Sequence, residues 1–407
     1  MPSRPGRRPR RKIALPLLLL LAAVLFLGFG SRTTSAPFGD SHDGKNGRVW
    51  SAGSRSLREE GPVASRLGTR NPVTGVYANH PPLIYLETAV TELVGFGTMA
   101  ATRAPAWLGT LALIGLLGAL LRDSGLRPNA VGMAVLLVTT TPMLLVYGTM
   151  LDTPVTSLPI AVGLLLMWER ARRGKVVRPV YAGGLTALAV LAGWQALLLA
   201  GLVGSWALVR VVRRTGRRKV DRAFVIGACL GGALLLAWML WAFGGTLRPL
   251  QDQFSFRSGQ SAQKVGLGEL LASQRHYGVG MFGAVGVLGV VGLVLALRDA
   301  RTRGLAAAAI AVTVPYTFVL RTGAVNHSYW GYWFLLPIAI GLAVGSDRLL
   351  ATWRSRGRWQ PVLPCVVALL ATVLVVGAWV RPPAAESNKI AGYKVAQGEE
   401  GAAPGPR

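Results

Sequence analysis

The chain has 407 residues, of which 52% are hydrophobic and 15% are charged, and its formal net charge is +27. Such a composition is typical of a polytopic membrane protein and argues against a soluble domain with a polar surface. A charge of this size would suit nucleic-acid binding, but Lys and Arg cluster in short segments between apolar runs, as in cytoplasmic anchoring loops. Nucleic acid is therefore not an expected partner.

The N-terminus is basic over residues 1–12 and continues into an apolar run over 13–30 that is long enough to span a membrane. A cleaved signal peptide would begin in the same way. However, Pro37 directly follows the small residues that could form a cleavage site. The sequence therefore favours an uncleaved first helix with its N-terminus inside.

The basic linkers between the later apolar runs set their orientation. The linkers at 170–178 and 210–222 cannot both face the cytoplasm if 181–209 crosses the membrane once. We therefore predict that 181–209 forms two short helices broken near Gly193, and about eleven transmembrane helices in total, with the C-terminus outside. The apolar runs lie near 104–121, 129–149, 154–168, 181–209, 223–243, 278–297, 304–320, 331–346 and 361–380.

A long polar segment over 31–96 forms the first loop and is predicted to face outward. Apolar and charged residues alternate at helical spacing over 43–60, which predicts an amphipathic helix suited to the membrane interface. Pro81 and Pro82 suit the first turn of a second helix over 83–94. The loop is thus predicted to hold two interfacial helices joined by a turn-rich strip.

Two acids stand where helices are predicted to start. Asp43 precedes the first loop helix, and Asp152 precedes Thr153 and Pro154. Each is explained by helix capping, since a short acid at this position accepts backbone N–H bonds. A carboxylate fixed in this way could also act as a general base or mark a site at the membrane surface. Both interpretations stay open for both residues.

Several cationic and aromatic side chains are predicted to share the outer face. His80 precedes the proline pair and could offer a proton or a charge to a phosphate. Arg257 and Arg275 could do the same, although loop arginines are often only solvated. The turn around His327 and Tyr329 is aromatic, which suits either an aromatic belt at the membrane interface or a platform for a sugar.

Several short motifs occur in order along the chain: Asp43-Gly44 with Trp50, His80-Pro81-Pro82-Leu83, Phe96-Gly97 to Arg103-Ala104-Pro105, Asp152-Thr153-Pro154, and His327-Ser328-Tyr329-Trp330 with Pro337. Taken together, these motifs resemble those of the GT-C class of polytopic glycosyltransferases. Within that class the chain is similar to the bacterial group, glycosyltransferase family 39-like, that is related to protein O-mannosyltransferases and lipid A aminoarabinose transferases. The chain departs from the pattern at Asp43-Gly44, where relatives often carry Asp-Glu.

The resemblance implies an inverting glycosyltransferase that moves a sugar from a polyprenyl-phosphate donor to an acceptor hydroxyl on a glycan, a lipid or a protein. It implies Asp43 as the general base. The expected substrate-binding residues are His80, Asp152, Arg257, Arg275, His327 and Tyr329. No cofactor is certain; if a divalent cation takes part, Asp43 and Asp152 are its expected ligands.

The implied organisation is an all-α GT-C-like bundle in a bacterial plasma membrane, with the active site on the extracytoplasmic face. The expected parts are a cytoplasmic N-terminus over 1–12, a catalytic transmembrane module over 13–350, a last helix over 361–380 and a disordered extracytoplasmic tail over 381–407. Two other classes stay open: a transporter or polymerase of lipid-linked glycans, and a non-catalytic membrane partner in which the acids are only helix caps.

Overall fold

The computed structural model describes residues 14–35, 37–38, 42–77, 79–260, 264–354 and 362–380. The expected disordered tail lies outside the described residues. The described chain is helical apart from a two-stranded antiparallel hairpin of Arg70–Asn71 (β1) and Gly75–Val76 (β2). Helices α1 to α17 span Ala14–Gly30, His42–Glu59, Gly61–Ala64, Leu83–Val94, Met99–Asp123, Pro128–Thr139, Pro142–Tyr147, Thr153–Arg172, Pro179–Ala192, Trp194–Val212, Arg218–Ala242, Arg248–Arg257, Leu267–Arg298, Arg303–Val319, Arg321–Asn326, Leu335–Arg354 and Val362–Val380. Two 3-10 helices cover Ser31–Thr33 and Ser328–Phe334.

Long apolar helices make up the body of the molecule, which confirms the predicted all-α polytopic fold. Within the described ranges, five helical segments are long and apolar enough to cross a membrane. Shorter apolar helices accompany them, among them Leu15–Gly30 and Val362–Gly377. The predicted break in 181–209 is confirmed, because α9 ends at Ala192, α10 begins at Trp194 and Gly193 joins them in an extended conformation. The total number of spans stays a prediction.

The bundle has two chemically different ends, and α8 runs from one to the other. Asp152 immediately precedes α8 and Arg172 ends it, a helix of 20 residues and therefore about 30 Å long. We call the end with Asp152 and helices α2 to α4 the loop end. The opposite end, with Arg172, Arg173 and Arg301, is the basic end.

Ion pairs lock the helices together at the basic end. The fully buried Glu169 on α8 accepts from Arg172 at 2.9 Å and also pairs with Arg173. Arg301 joins Asp299 at 2.8 Å and Asp347 at 3.0 Å. A buried carboxylate is stable only when it is paired with a cation. The ion pairs therefore hold these arginine side chains in place.

The first loop folds as a small unit on the loop end. The predicted second helix is confirmed, since α4 covers Leu83–Val94. The apolar face of α2, centred on the buried Trp50, packs against Ile84 and Tyr85 of α4. Gly53 permits this close approach, because a Cβ atom there would lie 2.2 Å from the Tyr85 ring.

The start of α2 differs from the prediction. The helix begins at His42, so Asp43 belongs to its first turn and does not precede it. The interpretation of Asp43 as a residue immediately before the helix is therefore wrong. Asn46, three residues later, contacts the bundle through Asp152.

The aromatic turn after His327 is buried. Tyr329, Trp330, Tyr332 and Trp333 are each exposed by 7% or less. Tyr332 and Trp333 therefore belong to the core of the bundle. An aromatic belt would lie at the membrane surface, so these side chains do not form one.

Candidate functional site

Asp152 is the buried centre of the loop end. Its carboxylate is 2% exposed and caps α8, with Oδ1 accepting from the Thr153 backbone N–H at 2.7 Å. Oδ2 accepts from the Asn46 side-chain amide at 2.8 Å. Burial raises the pKa of Asp152 to about 7, although the bonds from Thr153 and Asn46 oppose that rise. The capping interpretation is confirmed, and the carboxylate also joins α8 to α2.

Asn46 connects three parts of the chain at this point. Besides bonding Asp152, its amide donates to the Tyr329 hydroxyl at 3.1 Å. The residue before Tyr329 makes a second contact, because the Ser328 hydroxyl lies 2.6 Å from the Tyr147 hydroxyl at the end of α7. The first turn of α2, the start of α8 and the aromatic turn are therefore held together by partly buried polar groups.

His80 lies beside Asp152 as a neutral imidazole. Its Nδ1 is 3.1 Å from the Thr153 hydroxyl, and its ring meets Trp50 edge to face at a centroid distance of 5.6 Å. Burial, helped by the positive charge of Arg257, lowers the pKa of His80 to about 3. At neutral pH this side chain can therefore serve an anion as a hydrogen-bond donor but not as a cation.

Arg257 supplies the positive charge that faces this group. It is half-buried at the end of α12, and its Nη1 lies 2.7 Å from Nε2 of His327. The guanidinium also lies over the Trp330 ring, 5.4 Å from the ring centroid. A planar guanidinium held by an imidazole and an indole keeps a fixed direction, which suits contact with phosphate oxygens.

A cavity of about 810 Å³ adjoins these residues. Its wall is mostly apolar, with side chains from α10, α12 and α14 and from Trp330. Trp194 belongs to the wall and donates its indole N–H to the Asn79 carbonyl at 2.6 Å, which ties the α9–α10 break to the first loop. The polar lining residues are Asn79, His80, Gln251, Gln253, Ser255 and Arg257. An apolar cavity with a few polar groups is the usual form of a ligand site.

The structure thus brings together five of the seven residues selected from the sequence: His80, Asp152, Arg257, His327 and Tyr329. The other two are placed differently. Arg275 is exposed on α13 and does not line the cavity. For Asp43, the structure describes the helical backbone three residues before Asn46 but not the side chain.

Asp152 is the carboxylate among the five residues that the structure brings together. Both of its oxygens already accept hydrogen bonds from Asn46 and Thr153. Among the described residues, no group of three His, Cys, Asp or Glu side chains has the arrangement of a metal site. Ca²⁺ and Mg²⁺ take six or more ligands, mostly oxygens, so the described residues alone do not complete a site for either ion.

Comparison with known proteins places the fold. No family model matches the chain, and no curated protein matches it in sequence. Solved structures do match. An oligosaccharyltransferase of Archaeoglobus fulgidus, in complex with an inhibitory peptide and a dolichol-phosphate, superimposes with a TM-score of 0.58 at 14% identity. The same archaeal protein in complex with Zn and sulfate gives a TM-score of 0.57 at 14% identity, covering 95% of this chain and 54% of the archaeal one.

A second relative in structure is ArnT from Cupriavidus metallidurans bound to undecaprenyl phosphate, with a TM-score of 0.55 at 18% identity. The alignment covers 95% of this chain and 77% of ArnT. The alignment with the archaeal protein in its dolichol-phosphate complex covers 97% of this chain but only 57% of the archaeal protein. The chain therefore has the fold of the GT-C class of membrane glycosyltransferases, as its motifs predicted.

Proposed function

We propose that this protein is a membrane glycosyltransferase that moves a sugar from a polyprenyl-phosphate donor to an acceptor hydroxyl. The observation that carries the proposal is the apolar cavity whose wall includes Arg257 and His80 and which adjoins the buried Asp152. A lipid tail suits the apolar wall, and a phosphate suits the guanidinium. Its structural relatives were solved with dolichol-phosphate and with undecaprenyl phosphate, which supports this class of donor.

The donor phosphate is assigned to Arg257. As the bond between the anomeric carbon and the phosphate oxygen breaks, negative charge grows on the departing lipid phosphate. A fixed cation in a site of low polarity stabilises that charge without reorganising. His80 adds a hydrogen bond as a neutral donor, and the contact between Arg257 and His327 holds the guanidinium in place.

The acceptor is assigned to the side of α2. Its hydroxyl oxygen attacks the anomeric carbon from the face opposite the phosphate, so the configuration inverts. Asp43 receives the hydroxyl proton as the new C–O bond forms. Asp152 and Asn46 hold the first turn of α2 where the base is needed. This scheme uses no metal ion in any step. We propose that the reaction takes place on the extracytoplasmic face of a bacterial plasma membrane.

The position of the site argues against the two alternatives. Transporters bind their substrates near the middle of the membrane, whereas His80, Asp152 and Arg257 lie at helix ends and in loops. A non-catalytic partner in which Asp152 is only a cap would not need the buried link from Asp152 through Asn46 to Tyr329.

The test is a transfer assay on the purified protein with a panel of polyprenyl-phosphate sugars, with and without a chelator. We expect one donor to yield a glycosylated product, and Asp43→Asn to abolish the product while the protein remains abundant in the membrane. Asp152→Asn should reduce it. Unchanged transfer by Asp43→Asn would exclude Asp43 as the base. Absence of transfer with every donor, together with export of an intact lipid-linked glycan, would favour a transporter.

A further inference from the structure

The connection between α10 and α11, together with the start of α11, presents a surface of uncompensated positive charge at the basic end. Arg213, Arg214, Arg218, Lys219 and Arg222 are all exposed. Across the part of the chain that the structure describes, none of these five side chains forms an ion pair. The nearest acid in sequence, Asp221, is buried and already pairs with Arg210 at 3.4 Å. We call these five residues the cationic loop.

The cationic loop contrasts with the neighbouring arginines at the same end. Arg170 pairs with Asp123 at 2.6 Å, and Arg172, Arg173 and Arg301 are bound by Glu169, Asp299 and Asp347. Those ion pairs join helices to one another. The five side chains of the cationic loop form no ion pairs in the described structure. Their like charges repel one another unless an anion binds near them.

The backbone of the cationic loop is nevertheless fixed. Arg217 donates to the carbonyl oxygens of Gly174 and Lys175, the latter at 2.6 Å, and so ties this loop to the one before α9. The guanidinium of Arg210 lies over the Trp206 ring at 4.6 Å and fills the space beside Gly216, where a side chain would collide with it. The exposed cations are thus displayed from a rigid base.

The position of the cationic loop between two candidate membrane spans places these cations near the membrane surface. Helices α10 and α11 are both candidate membrane spans, and only five residues, 213–217, separate them. So short a connection cannot extend beyond the headgroup layer. Exposed apolar residues adjoin it, with Val212 at 71% and Val176 at 85% exposure. Cations beside apolar residues at a span boundary suit the phosphates of a bilayer surface.

We propose that the cationic loop is a binding surface for anionic phospholipid headgroups at the end of the bundle opposite the candidate active site. Basic residues next to a span attract acidic lipids, and the attraction falls with salt. Two residues of the surface, Arg218 and Lys219, begin α11, where the helix dipole disfavours cations. A lipid phosphate at that position interacts favourably with the positive end of the helix dipole and with the two cationic side chains.

The test uses the full chain in bilayer nanodiscs of equal parts phosphatidylcholine and phosphatidylglycerol, with mass spectrometry of the lipids retained after mild detergent extraction. One variant carries Arg213→Gln, Arg214→Gln, Arg218→Gln, Lys219→Gln and Arg222→Gln. The matched control removes the same charge from exposed or half-buried cations of the loop end, through Lys45→Gln, Arg55→Gln, Arg70→Gln, Arg248→Gln and Lys264→Gln. Thermal unfolding in pure phosphatidylcholine shows that each variant is folded.

We expect the wild type and the control to retain phosphatidylglycerol several-fold over phosphatidylcholine. The cationic-loop variant should lose most of that enrichment, and high salt should reduce the wild type to the same level. Equal enrichment in all three proteins would overturn the proposal, as would an equal loss in both variants. Retention of an acidic protein or nucleic acid by the loop, in place of the lipid, would also overturn it.

Discussion

Asn46 and Asp152 lie 106 residues apart in the chain, and the Asn46 amide donates to the Asp152 carboxylate at 2.8 Å. This bond joins the first turn of α2 to the start of α8. Asp152 is almost completely buried, and the Asn46 amide satisfies its Oδ2 while the Thr153 backbone N–H satisfies its Oδ1. The position of α2, and of Asp43 within it, therefore depends on this contact.

Asn46→Ala should reduce transfer by about 10-fold to 100-fold, because a hydrogen bond to a charged group contributes about 1.5–3 kcal/mol and its loss leaves a buried oxygen unpaired. Steady-state kinetics should show the loss in kcat more than in KM, since Asn46 touches neither the cavity wall nor the donor. Lys45→Ala, an exposed neighbour on the same turn, is the control and should retain full activity. Equal effects of the two variants would contradict a positioning role for Asn46.

The contact between Arg257 and His327 predicts coupled effects on donor binding. Arg257→Gln should raise the KM for the polyprenyl-phosphate donor by about 10-fold to 100-fold, as expected for loss of a charge-assisted contact. Arg257→Lys should recover only part of it, because a lysine keeps the charge but not the planar fork. His327→Ala should have a smaller effect in the wild type and almost none in Arg257→Gln. Additive effects in this double-mutant cycle would show that His327 does not act through Arg257.

The opposite pKa shifts of Asp152 and His80 predict two opposing contributions to the pH dependence of stability. The pKa of Asp152 rises from 3.8 to about 7, so between these values the folded state holds a proton that the unfolded state has lost, and stability falls as pH rises. The pKa of His80 falls from 6.5 to about 3, so there the unfolded state holds the extra proton, and stability increases as pH rises.

In the wild type these two effects should offset each other over most of the interval between the ordinary values of the two groups. Thermal unfolding from acidic to neutral pH should therefore show that stability increases more with pH in Asp152→Asn than in the wild type, because the opposing effect of this carboxyl is lost. His80→Gln should show the opposite change, with stability increasing less with pH than in the wild type over the same interval. Parallel pH profiles in both variants would mean that the two groups do not titrate as described.

Local features of this protein could be predicted from its sequence, and contacts between distant segments could not. Pro81 and Pro82 set the start of α4, and the positive-inside count required the break at Gly193. The order of short motifs identified the fold class. Asn46 carried no signal beyond its spacing of one helical turn from Asp43. Its partners Asp152 and Tyr329 are brought to it by packing of the first loop on the bundle, and the bond between Arg257 and His327 spans 70 residues in the same way.

Burial also altered the chemistry predicted for individual residues. His80 was expected to bring a proton or a charge, but it lies against Trp50 and near Arg257 and is neutral. The aromatic turn was compatible with an interfacial belt until its side chains proved to be in the core. Sequence pattern reports which groups are present near a site, whereas their protonation and exposure depend on neighbours from other helices.

The apolar part of the cavity predicts a steric block that leaves the polar site intact. Leu197 lines the cavity on α10, whereas Leu202 on the same helix is 41% exposed and lies outside the wall. Leu197→Trp should fill the space for the lipid chain. Each buried CH₂ group of such a chain contributes about 0.8 kcal/mol, so excluding even one isoprene unit should weaken binding more than 10-fold. Binding of a polyprenyl phosphate measured by tryptophan fluorescence or calorimetry checks this. Leu202→Trp, which adds the same ring toward the lipid side, should bind as the wild type does. If both variants bind normally, the lipid chain does not occupy this cavity.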